Sequence, residues 1–374
     1  MNRYEYVAIC LFGLEKFVSD EIEKLGYTKT ETIDGRVGFI GDEDAVARFN
    51  IFSRYSERLY IKLGQFKATT FTELFDGTKA LPFERFIGPE DAFPVTGSCI
   101  RSQLMSVPDC QSIIKKAIVE KLKLSYNISW FEESGTLYRI EFFINKDIVT
   151  VMLDTSGAPL HKRGYRPESN AAPLRETLAA AMVTIARPRE DVLLWDPFCG
   201  SGTIAIEGAM LMTNTAPGLN RKFSAESFKF LDSGIWDKAR QEASDLRKSS
   251  STFRAYASDI DPKCVSLTKH NAKRAGVFDN IKVFEQDALS LKNNGVRGTV
   301  ICNPPYGERL LDIDAVTELY KSMGKVFAKL SPWQIYILSS VPEFEKLYGK
   351  RADKTRKFYN GKLKCNYYQY FKNK

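Results

Sequence analysis

An apolar run, Val192 to Trp195, ends in Asp196 and breaks at once into Pro197-Phe198-Cys199-Gly200-Ser201-Gly202. Beyond it, Ile204, Ala205, Ala209 and Leu211 recur at helical spacing. The pattern predicts a buried parallel strand, a glycine turn and a helix. It constrains the chain to an open α/β sheet, in which ligands gather at the carboxyl ends of the strands. Glycine has no Cβ, so the main chain can turn sharply and a ligand can approach it closely. The helix start beyond offers free N–H groups to an anionic ligand group. The glycines follow G-x-G, with Ala205 where a third glycine would fall, a replacement dinucleotide folds tolerate; no Lys-Ser/Thr follows, which excludes a P-loop. Asp196 suits a ligand with a positive amino group better than a pyrophosphate. Taken alone, the stretch is explained equally well as an ordinary tight strand–helix turn.

A second stretch shifts the balance toward a ligand loop, a proline-rich turn with Tyr306 as packing being the other reading. Thr299-Val300-Ile301-Cys302 is another apolar run, and it opens into Asn303-Pro304-Pro305-Tyr306-Gly307. Adjacent prolines fix the backbone and remove two N–H donors, leaving carbonyls as acceptors. Asn303 adds a side-chain acceptor, and Tyr306 a flat ring for stacking. Together these groups suit a planar –NH2 on a flat base. S-adenosylmethionine carries a positive amino group of the kind that Asp196 suits.

The paired stretches resemble the cofactor loop and Asn-Pro-Pro-Tyr motif of class I S-adenosylmethionine-dependent methyltransferases acting on exocyclic amines. More narrowly, the chain resembles the THUMP-domain RNA guanine-N2 methyltransferases, and among them the N-terminal methyltransferase half of the bacterial large-subunit rRNA enzymes. Gly13-Leu14-Glu15, His161 to Arg166, Ala172 to Glu176 and Ala216 to Leu219 extend the resemblance over the whole chain. It implies an α/β, Rossmann-like methyltransferase domain with a seven-stranded sheet and a terminal antiparallel hairpin, preceded by α+β ferredoxin-like and THUMP modules. The expected boundaries are 1–66, 67–155 and 156–374. Asp196, Phe198, Gly200, Gly202, Asp259 and Asp287 are the expected cofactor residues, with Asp259 on the ribose hydroxyls and Asp287 on the adenine amine. Asn303, Pro304, Pro305 and Tyr306 are the expected catalytic loop. The expected partner is structured RNA, rRNA before tRNA; adenine-N6 methylation of DNA or RNA is the main alternative.

Composition narrows the remaining classes. Seven cysteines are scattered without a C-x-x-C pair, and His161 and His270 are the two histidines, so neither a disulfide framework nor a metal site is expected. The start lacks a signal-peptide pattern and no apolar run reaches membrane-spanning length; a cytoplasmic protein is the expectation. The net charge of +8 is uneven. Residues 161–374 carry 35 Lys or Arg against 23 acids, while residues 1–160 carry 19 against 23. Attraction to nucleic acid should therefore concentrate on the C-terminal part.

Along the N-terminal part, apolar periodicity predicts the order β-α-β-β-α-β, with Asp34-Gly35 as a hairpin turn, a ferredoxin-like order. A helix containing Ile113, Ile114, Ala117, Ile118 and Leu122 and a hairpin across Asn145-Lys146 follow. Ser156 to Pro159 reads as a linker. The run Lys162-Arg163-Gly164-Tyr165-Arg166 mixes cations with an aromatic, so Lys162, Arg163 and Arg166 are expected to meet an RNA backbone; a charged connector is the equal alternative. Pro173 is placed in a helix first turn, and 214–251 reads as a helical insertion around Trp236. Asn360-Gly361 between strand-like runs predicts the terminal hairpin.

Overall fold

The computed structural model describes residues 3–167, 174–293, 295–306, 313–361 and 363–371. Pro173 and Gly307 lie outside them. The first elements are β1 (Tyr4–Cys10), α1 (Glu15–Lys24), β2 (Thr28–Ile33), β3 (Arg36–Gly41), α2 (Asp44–Phe52) and β4 (Ser56–Lys67), in the expected β-α-β-β-α-β order. Next come α3 (Phe71–Lys79), β5 (Val95–Ile100), α4 (Val107–Tyr126), β6 (Ile140–Asn145) and β7 (Ile148–Asp154). A capping box between Thr70 and Glu73 starts α3, satisfying N–H groups that the first turn leaves unpaired.

These strands do not form two separate sheets. They make one sheet of seven, in the order β2-β3-β1-β4-β7-β6-β5. The joint is β4. One edge of it pairs with β1, from Ser56 to Ile61, and the other pairs with β7, from Tyr60 to Lys67. At twelve residues β4 is long enough to serve both neighbours.

The rest of the chain builds a second sheet. Its elements are α5 (Glu176–Ala186), β8 (Leu193–Asp196), α6 (Thr203–Met212), α7 (Gly234–Asp245), β9 (Ala255–Asp259), α8 (Pro262–Arg274), β10 (Ile281–Glu285), β11 (Gly298–Cys302), α9 (Ile313–Ala328), β12 (Gln334–Ser339), α10 (Phe344–Tyr348), β13 (Lys354–Asn360) and β14 (Leu363–Tyr370). The strand order is β10-β9-β8-β11-β12-β14-β13. The first five strands are parallel, and β14 runs antiparallel to both its neighbours. This is the doubly wound sheet with a terminal antiparallel hairpin that the sequence predicts, with Gly361 at φ +65° in the turn.

Helices α5 and α6 have no polar face. Residues Glu176 to Val183 are all buried, as are Thr203 to Met210. A helix apolar all round must be covered on both sides. The second sheet covers one side, since α6 packs on β8 and β9. The N-terminal unit covers the other: Arg54 donates to the Thr215 carbonyl at 2.9 Å and Tyr55 bonds to Thr184 at 2.8 Å. One hydrophobic core runs from Tyr6 through these helices to Phe358.

The insertion at 214–251 fastens the two units further. Helix α7 lies on α2, with Arg48 forked onto Glu242 at 2.8 Å through both Nε and Nη2. Phe228 stacks on Tyr138 with centroids 4.6 Å apart, and Phe230 meets Phe86 edge-on at 5.0 Å. Gly218 passes so close to α2 that a Cβ would stand 2.6 Å from the Asn50 carbonyl.

Candidate active site

Because β10, β9, β8 and β11 are adjacent and parallel, their carboxyl ends form one edge, with neighbours about 4.8 Å apart. That edge carries, in order, Asp287, Asp259, Asp196 and Asn303. In the register, Glu285 lies opposite Asp259 and Asp196 opposite Ala257. Residues spread over more than a hundred positions of sequence are thus collected by topology alone.

The loop after β8 is held from below by its neighbours. Gly200 and Gly202 have φ of +52° and +83°, the left-handed region that favours glycine. The Gly200 N–H donates to Asp259 Oδ2 at 2.9 Å. Its carbonyl accepts from Thr268 Oγ1 at 2.9 Å, and the Ser201 carbonyl accepts from Asn271 Nδ2 at the same distance. Thr268 and Asn271 are one turn apart on α8, so a single helix face clamps two successive carbonyls. Sequence reasoning missed both residues; the signal was a buried polar pair at helical spacing. A Cβ on Gly202 would stand 2.7 Å from Thr268 Cγ2. Gly202→Ala should therefore cost about 1–2 kcal/mol from its left-handed backbone, with the contact adding to it. Thermal unfolding measures this, and an unchanged midpoint would show that the clamp does not constrain the loop.

Asp196 is buried at the foot of the loop and accepts from the Phe198 N–H at 3.2 Å. Burial pushes its carboxyl well above the usual range; the Phe198 N–H counteracts this and nearby Asp259 adds to it. A buried acid of this kind calls for a cationic or hydrogen-bond-donating partner. Phe198 is half-buried against the core on the other face of the sheet. Asp259 also accepts from the Asp261 N–H at 3.1 Å, while Asp261 caps α8 through the Lys263 N–H. Asp287 is exposed and caps the short turn after β10 through the Leu289 N–H at 2.8 Å, leaving its second oxygen uncommitted by that bond. Between Asp259 and Asp261, Ile260 is 68% exposed, an apolar surface beside two acids that the sequence reading passed over.

On the other side of Asp196, Asn303 leaves β11. Its Oδ1 accepts from the Tyr306 hydroxyl, and the Pro305 carbonyl accepts from the Tyr320 hydroxyl at 2.9 Å. Pro304 is buried. Burial raises the Tyr306 hydroxyl pKa, so it stays a neutral donor. The loop is therefore pinned at the Pro305 carbonyl and at the Asn303 amide.

The basic run after the linker is corrected by the structure. Arg163 is 3% exposed and donates to the carbonyls of Leu160, Ser53 and Arg54. Its Nε stands 3.5 Å from Glu207, an ion-pair distance without hydrogen-bond alignment. Arg166 pairs with buried Glu176 at 2.9 Å and donates to Thr203 Oγ1 at 2.8 Å. Tyr165 is buried, donating to Glu207. Neither arginine is available to an RNA backbone: the run is a connector that knits β4, α5 and α6. Of the three cations Lys162 alone is exposed. His161 joins the same junction, with Nδ1 2.6 Å from Glu57. Burial would raise the Glu57 carboxyl, but His161, Thr177 and Arg175 together hold it below its usual value.

A cleft of about 540 Å³ opens at the opposite edge of the sheet, lined by Glu190, Arg254, Tyr256 and Lys282. It lies at the amino ends of the strands, away from the residues above. Among the described residues no cluster of His, Cys, Asp or Glu could hold a metal ion, and no helix is long and apolar enough to cross a membrane.

Comparison with known proteins agrees with this geometry. Residues 163–369 match the family "RMKL-like, methyltransferase domain", 5–60 match "RlmL ferredoxin-like domain" and 68–154 match "THUMP domain". A relative from Bacillus subtilis named "Putative RNA methyltransferase YpsC" is 43% identical over 373 residues, covering 99% of this chain and 97% of that one. The crystal structure of a "predicted N6-adenine-specific DNA methylase" from Listeria monocytogenes has a TM-score of 0.94 and 43% identity, covering 100% of this chain and 97% of that one. A further structure, "SMU.472, a putative methyltransferase complexed with SAH", has a TM-score of 0.93 and 38% identity, covering 100% and 99%.

Proposed function

This chain belongs to the RMKL-like methyltransferase family, and on that premise we propose that it methylates the exocyclic N2 amine of a guanine in structured RNA, with large-subunit rRNA the preferred substrate. S-adenosylmethionine supplies an electrophilic methyl group on a sulfonium. The residues at the strand edge fit it. Asp196, buried and short of partners, suits the side of a positive amino group. The creased, clamped glycine loop lets a ligand approach the backbone. Asp259 suits the ribose hydroxyls, and Asp287 an adenine amine. The relative crystallised with SAH supports the same ligand class.

The observation that carries the reading is Asn303 one strand from Asp196 on the same edge. Guanine's amino lone pair is delocalised into the ring and nucleophilically weak. Acceptors at the Asn303 side chain and Pro304 carbonyl would hold the –NH2 so that its lone pair is aimed, and oriented acceptors of this type are the main source of catalysis. Asn303 is no base; the proton leaves to water once the methylated nitrogen is cationic. The target base must be unstacked from its helix, with Tyr306 against its face. RNA is favoured over DNA by the match to a THUMP domain and by the Bacillus relative's name.

Nucleoside mass spectrometry of rRNA and tRNA from a strain lacking the gene tests this. Loss of N2-methylguanosine from one RNA class is expected; loss of N6-methyladenosine instead would give the adenine reading its place. The cofactor assignment has its own test. Asp259→Ala removes charge-assisted hydrogen bonds worth about 1.5–3 kcal/mol each, so calorimetry should show S-adenosylmethionine affinity falling at least roughly tenfold. Binding of NAD in its place by the unmodified protein would defeat the assignment.

A further inference from the structure

With Arg163 and Arg166 buried in the junction, the cationic surplus of the C-terminal part must be displayed elsewhere. Between residues 350 and 364 there are seven Lys or Arg and one acid, Asp353. Arg351, Lys354, Lys357 and Lys364 are exposed on or beside the terminal hairpin, and β13 is the outermost strand. Lysines on an outer strand also discourage association between sheets, so charge alone assigns nothing.

The position of the hairpin adds the second observation. Asn366 of β14 lies opposite Ser339 at the carboxyl end of β12, so the turn between β13 and β14 overhangs the edge that carries Asn303. Beside that turn, Cys365 pairs across the hairpin with Phe358. The next residue, Tyr359, meets Phe12 edge-on with centroids 6.0 Å apart. Phe12 is 54% exposed. It sits in the loop between β1 and α1, and that loop is tied to the hairpin: Arg356 Nη2 donates to the Gly13 carbonyl at 2.8 Å, and its guanidinium lies 5.0 Å over the Phe17 ring. An exposed phenylalanine fixed beside a cationic strand, next to the turn that overhangs the Asn303 edge, is not accounted for by core packing.

We infer that Phe12 and Tyr359 form a stacking platform for an unpaired RNA nucleotide flanking the target base, with Lys357 and Lys364, which share the Tyr359 face of the hairpin, meeting its neighbouring phosphates. The N-terminal unit and the terminal hairpin then share one substrate rim, which explains why the Gly13 loop is bonded across to β13. Aromatic faces accept any base, and lysines bind phosphate without reading sequence, so the platform holds the strand while the Asn303 loop selects the amine. The inference rests on the RNA reading above.

The test uses the full-length protein, radiolabelled S-adenosylmethionine, total RNA from a strain lacking the gene, and a fluorescent single-stranded RNA 12-mer. Phe12→Ala with Tyr359→Ala should lower 12-mer affinity and raise KM for RNA about 5- to 150-fold, the span for losing one stacked base. S-adenosylmethionine affinity should stay within about twofold, and Tyr359→Phe alone should behave as wild type. Lys357→Gln with Lys364→Gln should flatten the log affinity against log salt slope by about 1.4. If wild type methylates RNA but both sets of variants keep its affinity, KM and slope, the platform is wrong and the RNA reading stands. If wild type methylates DNA or a protein amide and no RNA, both fall. Should the aromatic double variant lose cofactor binding through misfolding, the lysine variant, altered only at exposed side chains, decides.

Discussion

Asn303→Ala should slow methyl transfer by about 10²–10³-fold in single-turnover measurements, by analogy with removing one oriented oxyanion-hole donor. The structure sharpens the expectation in two ways. Asn303 makes none of the contacts that hold the glycine loop, which runs through Asp259, Thr268 and Asn271, so cofactor affinity should stay near wild type. Tyr306 donates to the same amide oxygen. That oxygen has two lone pairs, so one bond to Tyr306 fixes the amide's orientation and leaves an acceptor site for the target amine. Tyr306→Ala should weaken base stacking by roughly 1–3 kcal/mol. Tyr306→Phe, which the sequence alone would suggest is silent, should instead lose an orienting hydrogen bond and slow the reaction by roughly 2- to 13-fold. Asn303→Asp should be milder than Asn303→Ala because a carboxylate still accepts. An Asn303→Ala enzyme with unimpaired transfer would remove this loop from the chemistry.

What could be read in advance follows from the range of the forces involved. The glycine crease, the acids ending β9 and β10, the Asn-Pro-Pro-Tyr loop and the Asn360-Gly361 turn each announce themselves within a few residues, because backbone torsion and local acceptors are short-range demands. Arg163 and Arg166 misled for the opposite reason. Locally they form a cationic run with an aromatic; their burial is decided by Glu207 and Glu176 on α6 and α5 and by carbonyls of Ser53 and Arg54 in the N-terminal unit. A trace of that burial was present in the sequence: Thr177 to Val183 and Thr203 to Ala209 offer almost no polar face. Read as helices, these segments demand cover on both sides, and therefore a docked N-terminal unit instead of separable modules. Removing residues 1–155 would strip that cover, so the remainder is not expected to keep cofactor binding as an independent domain. The insertion's role was legible only in three dimensions, since Phe228 stacks on Tyr138 and Phe230 meets Phe86 edge-on, both far back in the chain.

Arg163→Ala should destabilise the whole chain by about 3–5 kcal/mol, the cost of leaving a buried charge without its partner. The uncompensated group is Glu207, whose side chain is fully covered. Burial opposes the Arg163 charge, and Glu207 and Glu176 outweigh that opposition. The substitution also strips donors from three buried carbonyls, on Ser53, Arg54 and Leu160. Because those carbonyls lie just after the linker and just before β4, the loss falls on the seam between the two sheets, and the N-terminal unit should loosen first. Hydrogen exchange at β4 and α5 would show this, alongside a lowered melting midpoint. Replacing the pair together, Arg163→Met with Glu207→Gln, removes both charges and keeps an acceptor for the Tyr165 hydroxyl. It should recover part of the loss, because a neutral pair of similar volume avoids the stranded charge. At a temperature where the single variant is folded, the salt dependence of its RNA affinity should match wild type. An Arg163→Ala protein with wild-type melting and a flattened salt slope would return this arginine to the RNA surface and overturn the junction account.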